Sequence, residues 1–365
     1  MRKLFCLIFL FFMAYPICTY ALSAKSAVLI DADSSRILYE HNCHEKLPMA
    51  STTKIMTGLI ACKSEKLTDY VTISPFASCT EGSSLWLKPG DKVKLEDLTY
   101  GLLLNSGNDA AVAIAEHLTG SIDSFSLMMN IKAQKIGALN TSFKNPHGLY
   151  DGEHYTTAYD LALISREAMK NSTFRKIVST KKHNIFINDG QDTRYLNNHN
   201  KLLDKYDSCI GVKTGYTKKS GRCLVTCAEK EGKKLICVTL NAPDDWNDHI
   251  SLLNYGFENF RREEISKKGE KAYNFTYDKI YNKSVELIYS DDFNMLLGIN
   301  DSVTTKIKFN KLNAPVKKGT VAGHLEIFFN GEKFHEIELL TAEDIKKVSL
   351  FQKLKHKFHK LISSF

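Results

Sequence analysis

Hydrophobic positions along the chain follow two rhythms, and the change from one to the other divides it. Ile55, Met56, Leu59 and Ile60 recur at helical spacing, as do the apolar residues of Ala110–Leu118 and the series Leu161, Leu163, Ile164 and Ala168. Between such stretches, Cys223-Leu224-Val225-Thr226-Cys227-Ala228 is the kind of short apolar run expected of a buried strand. From Lys271 to Leu340 the texture becomes one of strands alone. Val303–Phe309 and Leu325–Phe329 alternate, and Asn330-Gly331 before the run Phe334–Leu340 is a hairpin turn signal. The pattern predicts a mixed helix-and-strand domain over residues 25–265 and a small β-rich domain over 266–342, joined near the charged stretch Arg261–Lys271.

The two ends read differently again. Arg2 and Lys3 precede an apolar run from Leu4 to Ile17, followed by small and polar residues around Ala21 to Ala24. This is the charged head, apolar body and cleavable neck of a secretory signal over residues 1–24, with Ala21 or Ala24 as the cut site. The run is shorter than the ~20 residues a bilayer-spanning helix needs. At the other end, over 343–365, Val348, Phe351, Leu354, Phe358, Leu361, Ile362 and Phe365 recur at three- and four-residue steps. Lys346, Lys347, Lys353, Lys355, Lys357 and Lys360 fill much of the remaining surface. A basic amphipathic helix of this kind suits an anionic membrane surface, each lysine adding ~1 kcal/mol there. The competing expectation is a helix packed on the β domain.

Composition narrows the function classes. Removing the signal leaves about 340 of the 365 residues, enough for two domains of ~150 residues each. The formal charge of +8 is spread along the chain with an excess at the C-terminus, and no nucleic-acid-binding motif accompanies it. Nine cysteines become seven once Cys6 and Cys18 leave, an odd and irregularly spaced set that argues against a disulfide framework. Cys223 and Cys227 are expected to share one strand face as buried thiols. No Cys/His spacing resembles a zinc site and no phosphate loop is present, so no metal or cofactor is expected.

The chemistry lies in three ordered motifs: Ser51-Thr52-Thr53-Lys54, Ser106-Gly107-Asn108 and Lys213-Thr214-Gly215. Ser51 and Lys54 are one helical turn apart at the start of an apolar helix. There the macrodipole favours developing negative charge, and the Ser51 N–H is free to bond an oxyanion. A serine hydroxyl needs a base, and Lys54 can serve only when neutral; burial and Lys213 nearby would both lower its pKa. Gly107 is expected to permit the tight backbone that aims Ser106 and Asn108 the same way.

The resemblance extends beyond these motifs. Ala27–Asp31, Ser35–Tyr39, Leu47–Ser51, Asn145-Pro146-His147-Gly148-Leu149, Thr157–Asp160, Asn200–Leu203 and Gly211–Gly215 together resemble the serine-type D-alanyl-D-alanine carboxypeptidases, the low-molecular-weight penicillin-binding proteins, over roughly residues 25–345. The resemblance implies an α/β (α+β) penicillin-binding/β-lactamase-like catalytic domain, with an antiparallel sheet flanked by helices, ahead of the small all-β domain and the terminal amphipathic helix. It implies acylation of Ser51 by peptidoglycan stem peptides ending in D-Ala-D-Ala, and β-lactam antibiotics as covalent inhibitors. Ser106 would relay a proton to the leaving amine, and Asn108 would hold the substrate amide and Lys54. Lys213 and Thr214 would bind the substrate carboxylate, Gly215 would let the peptide approach, and the Tyr216 N–H would be the second oxyanion donor. The enzyme would work at the outer face of the cytoplasmic membrane or in the periplasm, peripherally anchored.

Two other readings compete. A β-lactamase would need a deacylating carboxylate, and Glu167–Asn171 has the spacing, but Glu167 continues an amphipathic helix and is expected at its surface. A non-catalytic penicillin-binding sensor is disfavoured by the complete motif set. His147 and His199 are expected to be solvated loop histidines.

Overall fold

The computed structural model describes residues 22–278, 283–347, 349–351 and 354. In chain order β1 (Ser26–Asp31) and β2 (Ile37–His41) lead into a 3-10 turn, Ala50–Thr53, and α1 (Lys54–Cys62). Next come β3 (Tyr70–Thr72), α2 (Pro75–Ser78), β4 (Lys92–Lys94), α3 (Leu95–Leu104), α4 (Asn108–Thr119) and α5 (Ile122–Ile136). After α6 (Ala158–Lys170) and α7 (Ser172–Ser179), β5 (Lys182–Ile187) and β6 (Asp192–Asn197) form a hairpin. Then α8 (Leu202–Lys205) precedes β7 (Cys209–Thr217), β8 (Gly221–Lys230), β9 (Lys233–Leu240) and α9 (Asp245–Asn259).

The central sheet has the order β2-β1-β9-β8-β7 and is antiparallel throughout. Its strands read as near-continuous apolar runs because both faces are covered. Val28, Ile30, Val225, Cys227, Ile236 and Val238 face the core shared with α1, α3, α4 and α6. Ala27, Leu29, Ala228, Leu235 and Cys237 face Leu252, Leu253 and Phe257 of α9. Cys223 and Cys227 share a face and are free, buried thiols. The helices carry conventional end signals. Ser121, Thr157 and Asn171 accept first-turn amides with their side chains, and Gly120 and Gly137 close α4 and α5 in the left-handed conformation. A second sheet, β3-β4-β5-β6, lies beside the helices.

The β-rich unit comprises β10 (Arg261–Ser266), β11 (Lys271–Asp278), β12 (Lys283–Tyr289), β13 (Phe293–Leu297), β14 (Val303–Phe309), β15 (Val321–Phe329) and β16 (Glu332–Thr341). Its sheet order is β11-β12-β16-β15-β14, with β10 pairing β13 separately. The charged stretch after residue 260, expected to be a joint, is therefore in part a strand, because Arg262 and Glu263 pair in register with Leu296 and Met295. Asn330 and Gly331 take positive φ (48° and 87°) and close the β15–β16 hairpin. Arg36 ties the two units together. Its guanidinium donates to the Leu296 carbonyl, pairs with Asp301 at 2.6 Å and lies 4.3 Å over the Phe329 ring.

Residues 1–21 of the expected signal segment lie outside the described residues, as does most of the expected terminal helix. Its first residues belong to the β unit instead. Ile345 is buried and exchanges backbone hydrogen bonds with Val316, so the chain stays docked to that point. Leu350, Phe351 and Leu354 are helical and exposed. Among the described residues no helix is long and apolar enough to cross a membrane.

Candidate active site

The turn carrying Ser51 is set by its neighbours. Ala50 is held at φ 47°. Against it packs Gly148, at φ 90°, where a Cβ would lie 1.9 Å from the Ala50 carbonyl oxygen. Thr52 ties back to the Met49 carbonyl at 2.6 Å. The following helix is buried on nearly every side, and Lys54 is 0% exposed within it. Its Nζ lies 2.7 Å from Asn108 Oδ1, 2.7 Å from the His147 carbonyl and 3.0 Å from Ser51 Oγ. The first two partners can only accept. A neutral amine has two protons for them and one lone pair left, which faces the one partner able to donate, the serine hydroxyl. Burial, and then the charge of Lys213, lower the Lys54 pKa well below that of a free lysine, against a smaller opposing pull from Asp109.

Ser106, not Gly107, has the strained backbone: Ser106 sits at φ 64°, whereas Gly107 is at φ −56°. Glycine is required at 107 for space, since a Cβ there would come within 2.9 Å of both Asp109 Oδ1 and Leu85. Among the described residues Ser106 Oγ has no hydrogen-bond partner although it is buried. Asn108 opens α4, its Nδ2 donating to the Glu81 carbonyl at 2.5 Å and its N–H to the Ser83 carbonyl at 2.7 Å. Asp109, which the sequence did not single out, is fully buried. It accepts from the amides of Leu85 and Leu87 and from Ser84 Oγ, fixing the loop that brings Ser83 to the cleft.

On the opposite wall β7 carries Lys213, Thr214, Gly215 and Tyr216. Lys213 is 1% exposed, donates to the Thr214 carbonyl at 2.9 Å, and has its pKa pushed down to about 7 by burial. Gly215 runs against the turn carrying Ser51, where a Cβ would lie 3.0 Å from the Ser51 amide nitrogen. The Tyr216 side chain is largely exposed. Ser51, Ser106, Thr214, Gly215 and Tyr216 line one cleft of about 370 Å³, together with Ser83, His199, Lys201 and the Arg222–Asp245–Trp246 group. Asp245 holds the Arg222 guanidinium at 2.8 and 3.0 Å, and the guanidinium lies 5.5 Å over the Trp246 ring. No local motif announces this trio, because β8 and α9 meet only in the fold.

His199 sits at the rim of the cleft. His147 is not the solvated loop histidine expected. It is buried, its ring accepts from the Leu149 amide at 3.1 Å, and burial pushes its pKa to about 3, so it is neutral and structural while its carbonyl holds Lys54. Glu167 is on α6, paired with Lys63 at 2.6 Å, and does not line the cleft.

A serine hydroxyl against a buried lysine whose pKa is well lowered, with a second buried lysine across the cleft, suits acyl transfer to a substrate bearing a carboxylate. The comparisons agree. Residues 14–244 match a family model described as D-alanyl-D-alanine carboxypeptidase, and residues 260–347 match the C-terminal domain of penicillin-binding protein 5. The chain is similar to the D-alanyl-D-alanine carboxypeptidase DacF of Bacillus subtilis, at 34% identity over 91% of this chain and 88% of the relative. It is similar to DacC of Escherichia coli at 31% identity, covering 94% and 91%. Among solved structures, penicillin-binding protein 5 from Haemophilus influenzae superposes with a TM-score of 0.75 at 29% identity, covering 89% of this chain and 98% of that one.

Proposed function

The chain belongs to the D-alanyl-D-alanine carboxypeptidase family, and from that premise and the geometry of the cleft we propose that Ser51 is its acylated nucleophile. The protein is a serine hydrolase that releases the terminal D-alanine from D-alanyl-D-alanine peptides. Its substrate is the peptidoglycan stem peptide, and β-lactams are its covalent inhibitors. Lys213 and the Thr214 hydroxyl hold the terminal carboxylate. Ser51 Oγ attacks the carbonyl of the penultimate residue while its proton passes to Lys54. The N–H groups of Ser51 and Tyr216 hold the oxyanion; losing one such donor costs ~10²–10³ in turnover. The C–N bond then breaks, the departing amine takes a proton through Ser106, and D-alanine leaves an ester on Ser51. Asn108 holds the substrate amide and keeps Lys54 aimed. Water completes hydrolysis of the ester. A β-lactam forms the same ester but keeps its leaving amine tethered.

The observation that carries this reading is Lys54, 0% exposed between two acceptor-only partners and the Ser51 hydroxyl. A synthetic peptide ending in D-Ala-D-Ala should lose its last residue, and its D-Ala-L-Ala counterpart should not. Equal cleavage of both would reject the substrate assignment. The β-lactamase reading is opposed by Glu167, tied to Lys63 on α6. Rapid turnover of a penicilloyl adduct would revive it.

We propose further that residues 1–24 include a secretory leader, that the enzyme acts outside the cytoplasm, and that the tail beyond residue 346 binds an anionic membrane surface. Of the two cut sites, Ala21 is favoured. Ser23 donates from its N–H and hydroxyl to Asp248 at 3.0 and 2.7 Å, and Ala24 is buried, contacts that a cut after Ala24 would remove. The membrane test compares the full mature chain with one ending at Lys347, which keeps the Val316–Ile345 pairing. The shorter form should cleave soluble peptide yet no longer sediment with anionic vesicles. Equal sedimentation of both forms would reject the anchor.

A further inference from the structure

Where β2 ends, away from the cleft, three side chains of metal-ligand type converge. Glu40, Cys43 and His44 bring a carboxylate oxygen, a sulfur and an imidazole nitrogen within 4.8 Å of one another, the only such group among the described residues. Glu40-x-x-Cys43-His44 matches no zinc-ligand spacing, so the group is visible only in three dimensions. Cys43 is 3% exposed, while Glu40 and His44 are open to solvent, which gives an ion a way in.

The backbone beneath is fixed from several sides. Asn42 is held at φ 47°, its carbonyl accepting from Ser26 Oγ at 3.0 Å. The Cys43 carbonyl accepts from the Tyr159 amide at 3.1 Å, and Leu47 exchanges backbone hydrogen bonds with Thr156. The His44 ring meets Tyr159 edge-on at 5.3 Å. The Cys43 thiol donates to Glu40 at 3.2 Å, and burial together with that carboxylate pushes its pKa up to about 12. Metal-free, it stays protonated at neutral pH.

We propose that Glu40, Cys43 and His44 bind one zinc(II) ion, with solvent as the fourth ligand, at a site separate from the catalytic cleft. Thiolate, imidazole and carboxylate together are a zinc donor set. Bond lengths of about 2.0–2.3 Å place tetrahedral ligand atoms about 3.5 Å apart, so side-chain rotation closes the present arrangement. Binding replaces the thiol proton with the metal and releases one proton to solvent; nothing is oxidised or reduced. The ion would clamp the end of β2 to the turn that follows it, ahead of the segment that carries Ser51. It would stabilise that segment and take no part in acyl transfer.

The test uses the full mature chain, stripped with a chelator and titrated with zinc chloride alone, alongside Cys43→Ser, His44→Ala and, as a control at the exposed thiol, Cys79→Ser. The wild type and Cys79→Ser should bind one equivalent, release a proton and melt higher with zinc. Loss of a direct ligand should weaken binding by more than the ~10–100-fold typical of outer-shell partners. Cobalt(II) should give a thiolate charge-transfer band that Cys43→Ser lacks. D-alanine release should be unchanged in every variant, which separates this site from the catalytic reading. Zinc affinity in Cys43→Ser equal to wild type, or no cobalt–thiolate band in the wild type, overturns the proposal.

Discussion

The charge on Lys213 offers a quantitative test of how the cleft recognises its substrate. The side chain is 1% exposed, and burial pushes its pKa down to about 7, far below that of a free lysine. A bound carboxylate needs the protonated form. The pH dependence of kcat/KM reports the free enzyme, so its alkaline limb should fall through the pKa of this group. At pH 9, two units above that value, only about 1% of Lys213 carries its proton. The predicted loss from the plateau is therefore roughly 100-fold, or about 2.7 kcal/mol at 1.36 kcal/mol per unit. On the proposed mechanism the acidic limb should belong to Lys54, which has to be neutral to act and whose pKa is also lowered. Lys213→Arg keeps a permanent charge in a different shape. Its kcat/KM should be lower at pH 7, but the alkaline limb should disappear or move up. The assay is D-alanine release from an N-acetylated peptide ending in D-Ala-D-Ala, at substrate concentrations well below KM, over pH 5–10. An arginine variant that keeps the wild-type alkaline limb would refute the assignment of that limb to Lys213.

Three further outcomes follow from the packing. Lys54→Met fills the same buried space without a base and should slow labelling by a fluorescent penicillin ~10²–10⁴-fold, the usual worth of a positioned base; labelling at the wild-type rate would remove Lys54 from the proton path. Gly148→Ala places a Cβ 1.9 Å from the Ala50 carbonyl at a positive φ and should cost at least ~1–3 kcal/mol in urea denaturation together with acylation, whereas Gly152→Ala, with open space around it, should be neutral in both. Arg36→Ala removes the partner of Asp301 and the stacking on Phe329; the pair is part-buried, so the chain should lose less than the ~3–5 kcal/mol of breaking a fully buried pair, with the loss appearing at the join of the two units in hydrogen exchange.

Much of the site was legible because its residues come in short motifs whose neighbours are local. Ser51 and Lys54 are one turn apart on a helix whose apolar surround already implied a buried amine. Thr214, Gly215 and Tyr216 follow Lys213 along one strand. The β-rich unit was legible for a similar reason, since the Asn330-Gly331 turn and the alternation around it fix the β15–β16 hairpin. Reasoning failed where the determinant was steric or distant. Sequence alone makes Gly107 a backbone device, yet the positive φ belongs to Ser106 and glycine is needed to clear Asp109 and Leu85. His147 is expected to be solvated because loops generally are; here the loop is packed in, the His147 carbonyl accepting from Lys54 and the neighbouring Gly148 lying against Ala50. Arg222 and Asp245 are on separate elements, and nothing in either local sequence marks the pair. Ile345 looked like the start of a free helix, while its pairing with Val316 makes it part of the β unit.

The proposed mechanism requires the acyl group to be carried by Ser51. The purified mature protein should be treated briefly with benzylpenicillin, denatured, digested and mapped by mass spectrometry, with Ser51→Ala in parallel and D-alanine release measured for both. One penicilloyl group on the peptide containing Ser51, and neither adduct nor D-alanine release in the alanine variant, is the predicted result. An adduct on another residue, Ser106 above all, or release of D-alanine by Ser51→Ala at the wild-type rate, would contradict it.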